Sequence, residues 1–296
     1  MNKIAVLVTT FNGLDLLQKH LPEVIKHSPE AQTILVADDC SDDDTASYIS
    51  QLAKKHPKLH YLRQKTNQRF AINSNLGVSR LKDHRYCLLL NNDIRPQPNY
   101  ISKSVRHFLT HPKLLGVSLS EIVRENWARL LWKSGYLQYQ GVTPTDSRPH
   151  INGWISGGSS IIDIAVFRRL GGFDPIYSPF YSEDVDLGYR AWKSGYQCLY
   201  DPQSQVHHYH ASTNNRFSRH FLDYVKERNR LLTVWRNITD PAMLFSHRLT
   251  LISRVLTGPN YLKIILAARK SVSHSPPPIV FPQRTDRQIF DLFAKP

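Results

Sequence analysis

Short apolar runs alternate with stretches of helical periodicity along the first third of the chain. Ile4–Val8, Thr33–Ala37, Leu59–Leu62 and Cys87–Leu90 are runs of strand length, and each gives way to polar residues. Between the first two, Leu14, Leu17, Leu21, Val24 and Ile25 recur at helical spacing, predicting a helix over Leu14–His27. Further helices are expected over Ala46–Lys55, about Asn73–Lys82 and Asn99–His111. Strand–helix alternation at this spacing means βαβ units, an open and mostly parallel sheet, and helices on both faces. In such sheets ligands sit beyond the carboxyl ends of the strands.

The pattern then loosens. Residues 117–152 are rich in Trp, Tyr and Gln and predict loops, strands and one helix near Glu125–Lys133. Gly157-Gly158, ahead of the apolar Ile161-Ile162, permits a close backbone approach to a ligand or simply makes a turn. Ser182 is placed to cap a helix whose apolar face is Val185, Tyr189 and Trp192 and which Gly195 ends. A strand over Tyr196–Tyr200 leads into Val206–His210. Amphipathic helices follow at Arg219–Arg236, Pro241–Leu256 and Pro259–Val272, then a linker and a tail that holds a short helix at most. This divides the chain into residues 1–215, an α/β unit, and residues 216–296, a helical extension.

Composition narrows the class. At 296 residues the chain is long enough to bury a full core, as one large domain or two smaller ones. Cys40, Cys87 and Cys198 are odd in number and show no CxxC spacing, which argues against a disulfide scaffold or zinc site and fits a reducing cytoplasm. No apolar run reaches bilayer-spanning length, and the opening MNKIAVLVTT is better read as a first strand than as a signal peptide. The net charge is +14, and from residue 201 onward there are fourteen Lys/Arg against six Asp/Glu. Such an excess suits nucleic acid, an anionic membrane surface or phosphorylated substrates, or serves solubility alone. It follows no helix-turn-helix, zinc or RNP pattern, so nucleic acid is not an expected partner. The basic amphipathic helices near the C-terminus either lie on an anionic membrane surface or pack against the α/β unit.

Three polar segments fall just after strands and should meet at one sheet edge: Thr9-Thr10-Phe11-Asn12, Asp38-Asp39 and Asn91-Asn92-Asp93. Asp93 is the first candidate for a metal ion or a phosphate partner, a turn before Pro96 and Pro98 being the alternative. Neither GxGxxG nor GxxxxGK[ST] occurs, which argues against a dinucleotide oxidoreductase or a P-loop enzyme. Glu183, Asp184 and Asp186 share the first turn of a helix, where the dipole favours negative charge. One of them facing the crevice would stay ionised at neutral pH and serve as a general base; otherwise all three are capping residues. His207, His208 and His210 offer imidazoles for a metal or fill surface and core.

Taken together and in order, several segments resemble the inverting family 2 glycosyltransferases of the GT-A fold, nearest the bacterial rhamnosyltransferase-like members. They are VTTFN (Val8–Asn12), ADDCSDDDT (Ala37–Thr45), NQRFAINSNLG (Asn67–Gly77), LLLNNDIRPQP (Leu88–Pro98), GGFDP (Gly171–Pro175), YSEDVDLGYRAWKSGY (Tyr181–Tyr196), VHHYHAS (Val206–Ser212) and ERNRLLTVWRN (Glu227–Asn237). The resemblance implies a nucleoside-diphosphate-sugar donor contacted by Thr9, Phe11, Asp38 and Asp39, with Arg69, Asn75, Asn91 and Asn92 also on the donor side. It implies a divalent cation, Mg2+ or Mn2+, on Asp93 with His208 close by, and Asp184 of the Glu183-Asp184 pair as catalytic base. The implied reaction moves a hexosyl or deoxyhexosyl group to a glycan or lipid-linked acceptor in cell-surface polysaccharide synthesis, at the inner face of the membrane. One departure stands out: the metal motif usually opens with an acid, and here Asn91-Asn92 precede Asp93, which should weaken metal affinity. The competing readings are a catalytically inactive membrane-peripheral scaffold and a basic nucleic-acid-binding protein.

Overall fold

The computed structural model describes residues 3–122, 126–210, 217–258 and 260–294. The chain opens as β1 (Ile4–Thr10), α1 (Leu14–His27), β2 (Thr33–Asp38), α2 (Thr45–Ala53), β3 (Leu59–Arg63), α3 (Arg69–Arg80) and β4 (Tyr86–Asn91). It continues through β5 (Ile94–Pro96), α4 (Tyr100–Val105), α5 (His107–Thr110), β6 (Leu114–Glu121), β7 (Ala128–Lys133), β8 (Tyr136–Gly141), β9 (His150–Ile151) and β10 (Ser159–Asp163). The rest is α6 (Ile164–Arg169), α7 (Glu183–Lys193), β11 (Gln197–His208), α8 (Arg219–Asn237), α9 (Pro241–Thr257), α10 (Tyr261–Ser273) and α11 (Asp286–Ala294).

The expected open sheet is present, with strand order β3-β2-β1-β4-β10-β6-β11-β5, β9 pairing on β11, and β7-β8 as a separate hairpin. The β3-β2-β1-β4 half is parallel, whereas β10 runs antiparallel between β4 and β6, so the sheet is mixed. Because side chains alternate along a strand, Val6, Val8, Leu88 and Leu90 join the core beneath α1 and α4, while Ala5, Leu7, Cys87 and Leu89 join the core on the other face. That second core also holds Leu231, Leu232 and Val234 of α8, Ala268 of α10, and Ile289 and Phe293 of α11. The C-terminal helices are therefore packed on the sheet's own core. The junction expected near residue 215 lies outside the described residues.

Several expected elements take a different form. The helix expected near Glu125–Lys133 is strand β7, its Ala128 and Leu130 buried alternately; Glu125 itself lies outside the described residues. β7 turns into β8 through Ser134 and Gly135, both at positive φ (51° and 72°), which suits a tight two-residue hairpin turn. Helix α3 starts at Arg69, a turn earlier than expected, because Asp39 accepts the Gln68 and Arg69 amides at 2.6 and 2.8 Å. The helix expected over Asn99–His111 breaks at Arg106 into α4 and α5. The strand expected to end at Tyr200 runs on to His208. Of the helix expected over Pro259–Val272, Pro259 lies outside the described residues and α10 starts at Tyr261. Ser182 makes no side-chain cap to α7 and instead sits at φ 74°. The tail helix α11 is no loose end: Asp286, 1 % exposed, accepts hydrogen bonds from Tyr189, Lys193 and the Thr239 and Asp240 amides at 2.7–3.0 Å.

Candidate active site

A cleft of about 640 Å³ opens where β1 and β4 end, and it gathers Thr9, Phe11, Asp39, Arg69, Asn91, Asn92 and Asp93 with Glu183, Asp184 and His208. The three polar strand ends thus converge as their positions in the sheet require. Asn92 donates to Thr10 Oγ1 at 2.9 Å, fixing one strand end against another. Gly158 lets Asn91 come close: a Cβ there would lie 2.4 Å from the Asn91 amide nitrogen, and the Asn91 N–H donates to the Gly158 carbonyl at 2.9 Å. Gly157 and Gly158 make the turn ahead of β10, and at that turn Gly158 approaches the site residue Asn91. Burial pushes the Asp39 carboxyl up against the opposing pull of its two amide partners.

Two residues expected on the donor side do not line the cleft. The Asp38 carboxylate is fully buried and accepts the Ser41 amide and hydroxyl and the Tyr61 hydroxyl, with Arg63 3.9 Å away. It organises the acidic turn. Asn75 spends its side chain on the Phe173 backbone, donating at 2.7 Å and accepting at 3.0 Å, which ties α3 to the Gly171–Pro175 turn. In both cases the polar atoms are already paired, which is why the side chains face the protein.

Asp93 and His208 are brought together by sheet pairing. Strand β5 pairs antiparallel with β11 in the register Ile94↔His208, and His208 Nε2 lies 3.2 Å from Asp93 Oδ1. On the far side of the imidazole, Nδ1 lies 3.0 Å from Glu121 Oε2. Glu121 ends β6, is 4 % exposed and does not line the cleft, and it also lies 3.4 Å from His210 Nε2. Burial would lower the His208 pKa, but the two carboxylates outweigh it and raise it to about 9. Carboxylate oxygen plus imidazole nitrogen at the cleft surface is a donor set that Mg2+ or Mn2+ accepts. A carboxylate behind the imidazole is the usual partner that orients a ligating histidine. The ligand atoms of Glu121, His208 and His210 also fall within 4.8 Å of one another. The residues fit a divalent cation. Glu121 escaped the sequence reading because nothing in its neighbourhood marks a motif; only the β6-β11 pairing, Glu121↔Val206, brings it to His208.

The start of α7 also lines the cleft. Of its three first-turn carboxylates, Asp186 turns into the core, where it accepts from Tyr177, Asn237 and Arg190 at 2.7–2.9 Å. Glu183 and Asp184 face the cleft. Their environment differs from the expectation of ordinary ionisation. Burial raises the Asp184 carboxyl, opposed by the Val185 and Gly157 amides, and burial together with the Asp184 charge raises Glu183 further. The approach to α7 is strained, since Tyr181 and Ser182 both lie in the left-handed region at φ 73° and 74°. Such conformations persist only where surroundings enforce them. Here Asn229 of α8, fully buried, directs its amide nitrogen at the carbonyls of Tyr177, Phe180 and Tyr181, 2.7–3.0 Å away.

An open mixed α/β sheet with this cleft beyond its strand ends is a glycosyltransferase fold of the GT-A type, and solved structures agree. The mannosyltransferase PcManGT from Pyrobaculum calidifontis, in complex with GDP-Man and Mn2+, superposes with a TM-score of 0.60 at 15% identity over 93% of this chain and 76% of that one. GalNAc-T7, solved with UDP, GalNAc and Mn2+, gives 0.62 at 17% identity over 79% of this chain and 48% of its own. Residues 5–171 match the family described as Glycosyl transferase family 2, and the chain belongs to that family. An N-acetylglucosaminyl-diphospho-decaprenol L-rhamnosyltransferase of Mycobacterium tuberculosis is 34% identical over 105 residues, 36% of this chain and 33% of the relative. Protein CgeD of Bacillus subtilis is 24% identical over 167 residues, 56% of this chain and 36% of that protein. The chain thus spans about a third of the length of the curated relatives it matches.

Proposed function

We propose that the chain is an inverting glycosyltransferase, moving a sugar from a nucleoside-diphosphate donor to an acceptor hydroxyl. The observation that carries this reading is that Asp184, at the start of α7, lines the same cleft as Asp93 and His208. Thr9, Phe11, Asp39, Arg69, Asn91 and Asn92 all line this cleft; in this reading they contact the donor, with Asn92 at the ribose. Asp93 and His208 would hold the divalent cation, which supplies positive charge to the departing diphosphate. Glu121 Oε2 lies 3.0 Å from His208 Nδ1 while Nε2 lies 3.2 Å from Asp93, so Glu121 would serve to orient the ring toward the cation. It offsets the missing acids at Asn91 and Asn92 by making the one histidine a better-oriented ligand.

Asp184 takes the proton of the acceptor hydroxyl as that oxygen attacks the anomeric carbon from the face opposite the leaving group. Its raised pKa is an advantage, because a base is most effective when its pKa lies near the working pH. Glu183, buried beside it, has an oxygen with no hydrogen-bond partner. Phe180, Tyr181 and Phe217 make an aromatic wall next to these acids, suited to stacking on an acceptor sugar. The similarity to a protein named as an N-acetylglucosaminyl-diphospho-decaprenol L-rhamnosyltransferase supports a lipid-linked acceptor and a deoxyhexosyl donor; a role in cell-surface polysaccharide synthesis at the cytoplasmic face belongs to the same proposal. Incubation with nucleoside-diphosphate deoxyhexoses and a lipid-linked acceptor, followed by NMR of the product's anomeric centre, tests the reading. The expected product has inverted configuration; a product with retained configuration overturns the direct displacement.

A further inference from the structure

We infer that helix α9, with α10 behind it, is a docking surface for an anionic lipid bilayer. The helix is fastened by one side only. His247 accepts from Trp235 Nε1 at 2.8 Å and meets the Gly135 carbonyl at 2.7 Å, and Trp132 donates to Ser246 at 3.2 Å. The other side carries Phe245, Leu249, Ile252 and Leu256, exposed by 61, 53, 58 and 80 %. Their spacing of four, three and four residues makes one apolar stripe down the helix. On α10, Leu262 and Leu266 are likewise exposed.

The charge on this segment identifies what covers the stripe. Between Asp240 and Asp286 the chain has no acidic residue at all, while Arg248, Arg254, Lys263, Arg269 and Lys270 are all exposed. A second copy would set one uncompensated basic face against another, which like-charge repulsion disfavours. An anionic headgroup layer neutralises those charges as the apolar stripe enters the acyl boundary, which is how a basic amphipathic helix lies in an interface. Among the described residues no helix is long and apolar enough to cross a membrane, so the segment lies on the surface. This inference stands apart from the assignment of the catalytic residues, none of which is in α9 or α10.

Flotation of the full chain with phosphatidylcholine vesicles, with and without phosphatidylglycerol, tests it. The chain is expected to float with the phosphatidylglycerol vesicles, to stay behind with pure phosphatidylcholine and to be released by high salt. Leu249→Ser combined with Ile252→Ser should weaken vesicle binding at least tenfold with an unchanged melting temperature, because both side chains are exposed. Each basic residue of the segment changed to Gln should cost about fivefold. Failure of the wild type to float with anionic vesicles overturns the inference, as does wild-type binding by the Leu249/Ile252 variant. So does a dimer at sedimentation equilibrium that the same double variant converts to monomer. Donor hydrolysis in detergent solution, unchanged in the double variant, keeps this result separate from failure of the active-site reading.

Discussion

The two walls of the cleft are built in different ways. The wall with Thr9, Asp39 and Asn91–Asp93 grows directly out of strand ends, each side chain placed by the few residues before it and by parallel pairing with its neighbours. The wall with Glu183 and Asp184 depends on residues far along the chain. Asn229 holds the Tyr181-Ser182 backbone in its left-handed conformation, Asn237 and Arg190 hold Asp186, and Asp286 ties α11 to α7 through Tyr189 and Lys193. The family match covers residues 5–171, the first wall, and stops before α7. The residues proposed for the donor are thus carried by a sheet edge, whereas the position of the proposed base, Asp184, rests on a brace of buried polar groups from α7 and the C-terminal helices.

The two sides are expected to fail differently. The largest effect is expected at Asp184. Asp184→Asn should lower the turnover number by about 100- to 10,000-fold, checked by steady-state transfer assays. In the wild type, the acid limb of the rate profile should lie alkaline of an ordinary aspartate, because burial raises this carboxyl and only its ionised form accepts the proton. A limb in the usual carboxylate range would remove Asp184 from that role. Next, Asn229→Ala should cost about 1–3 kcal/mol by leaving buried carbonyls without a donor, and it should reduce turnover more than donor affinity. Chemical denaturation and calorimetric titration of the nucleotide measure the two parts.

Glu121→Gln tests the first wall from behind. Manganese affinity read by electron paramagnetic resonance should fall about 10- to 100-fold, with the fold unchanged. Equal affinity would show that His208 needs no such support. The smallest effect is a dependence of stability on acid. The Asp286 carboxyl would be raised by burial, but the Thr239 amide, Tyr189 and Lys193 bring it below its ordinary value. A lowered folded pKa contributes stability above the unfolded value of about 3.9 that is lost as pH falls through the folded one. Wild type and Asp286→Asn should therefore differ in melting temperature at neutral pH and converge in acid.

Much of the fold was legible because the β1–β4 half is local. Runs such as Val6-Leu7-Val8 and Leu88-Leu89-Leu90 carry their own period, and α1 was predicted to the residue. The hairpin β7-β8 was not, since Ala128–Lys133 reads equally well at helical spacing and only the partner strand decides. In the site, Asp93 stood out as a lone acid after a buried strand. Asp38 and Asn75 looked alike from sequence, yet tertiary partners had already claimed their polar atoms. Glu121 and Asn229 were silent because their importance lies in what they touch: Glu121 reaches His208 across 87 positions, and Asn229 reaches Tyr181 across 48.

The proposed division gives the donor and its cation to one part of the cleft and the base to the other. Calorimetric titration of a nucleoside diphosphate with and without Mn2+, on Asp93→Ala and Asp184→Asn side by side, tests it most directly. Asp93→Ala should lose the cation-dependent part of binding, while Asp184→Asn binds as the wild type does yet fails to transfer sugar. Cation-dependent binding that survives in Asp93→Ala, or that disappears in Asp184→Asn, would contradict the division.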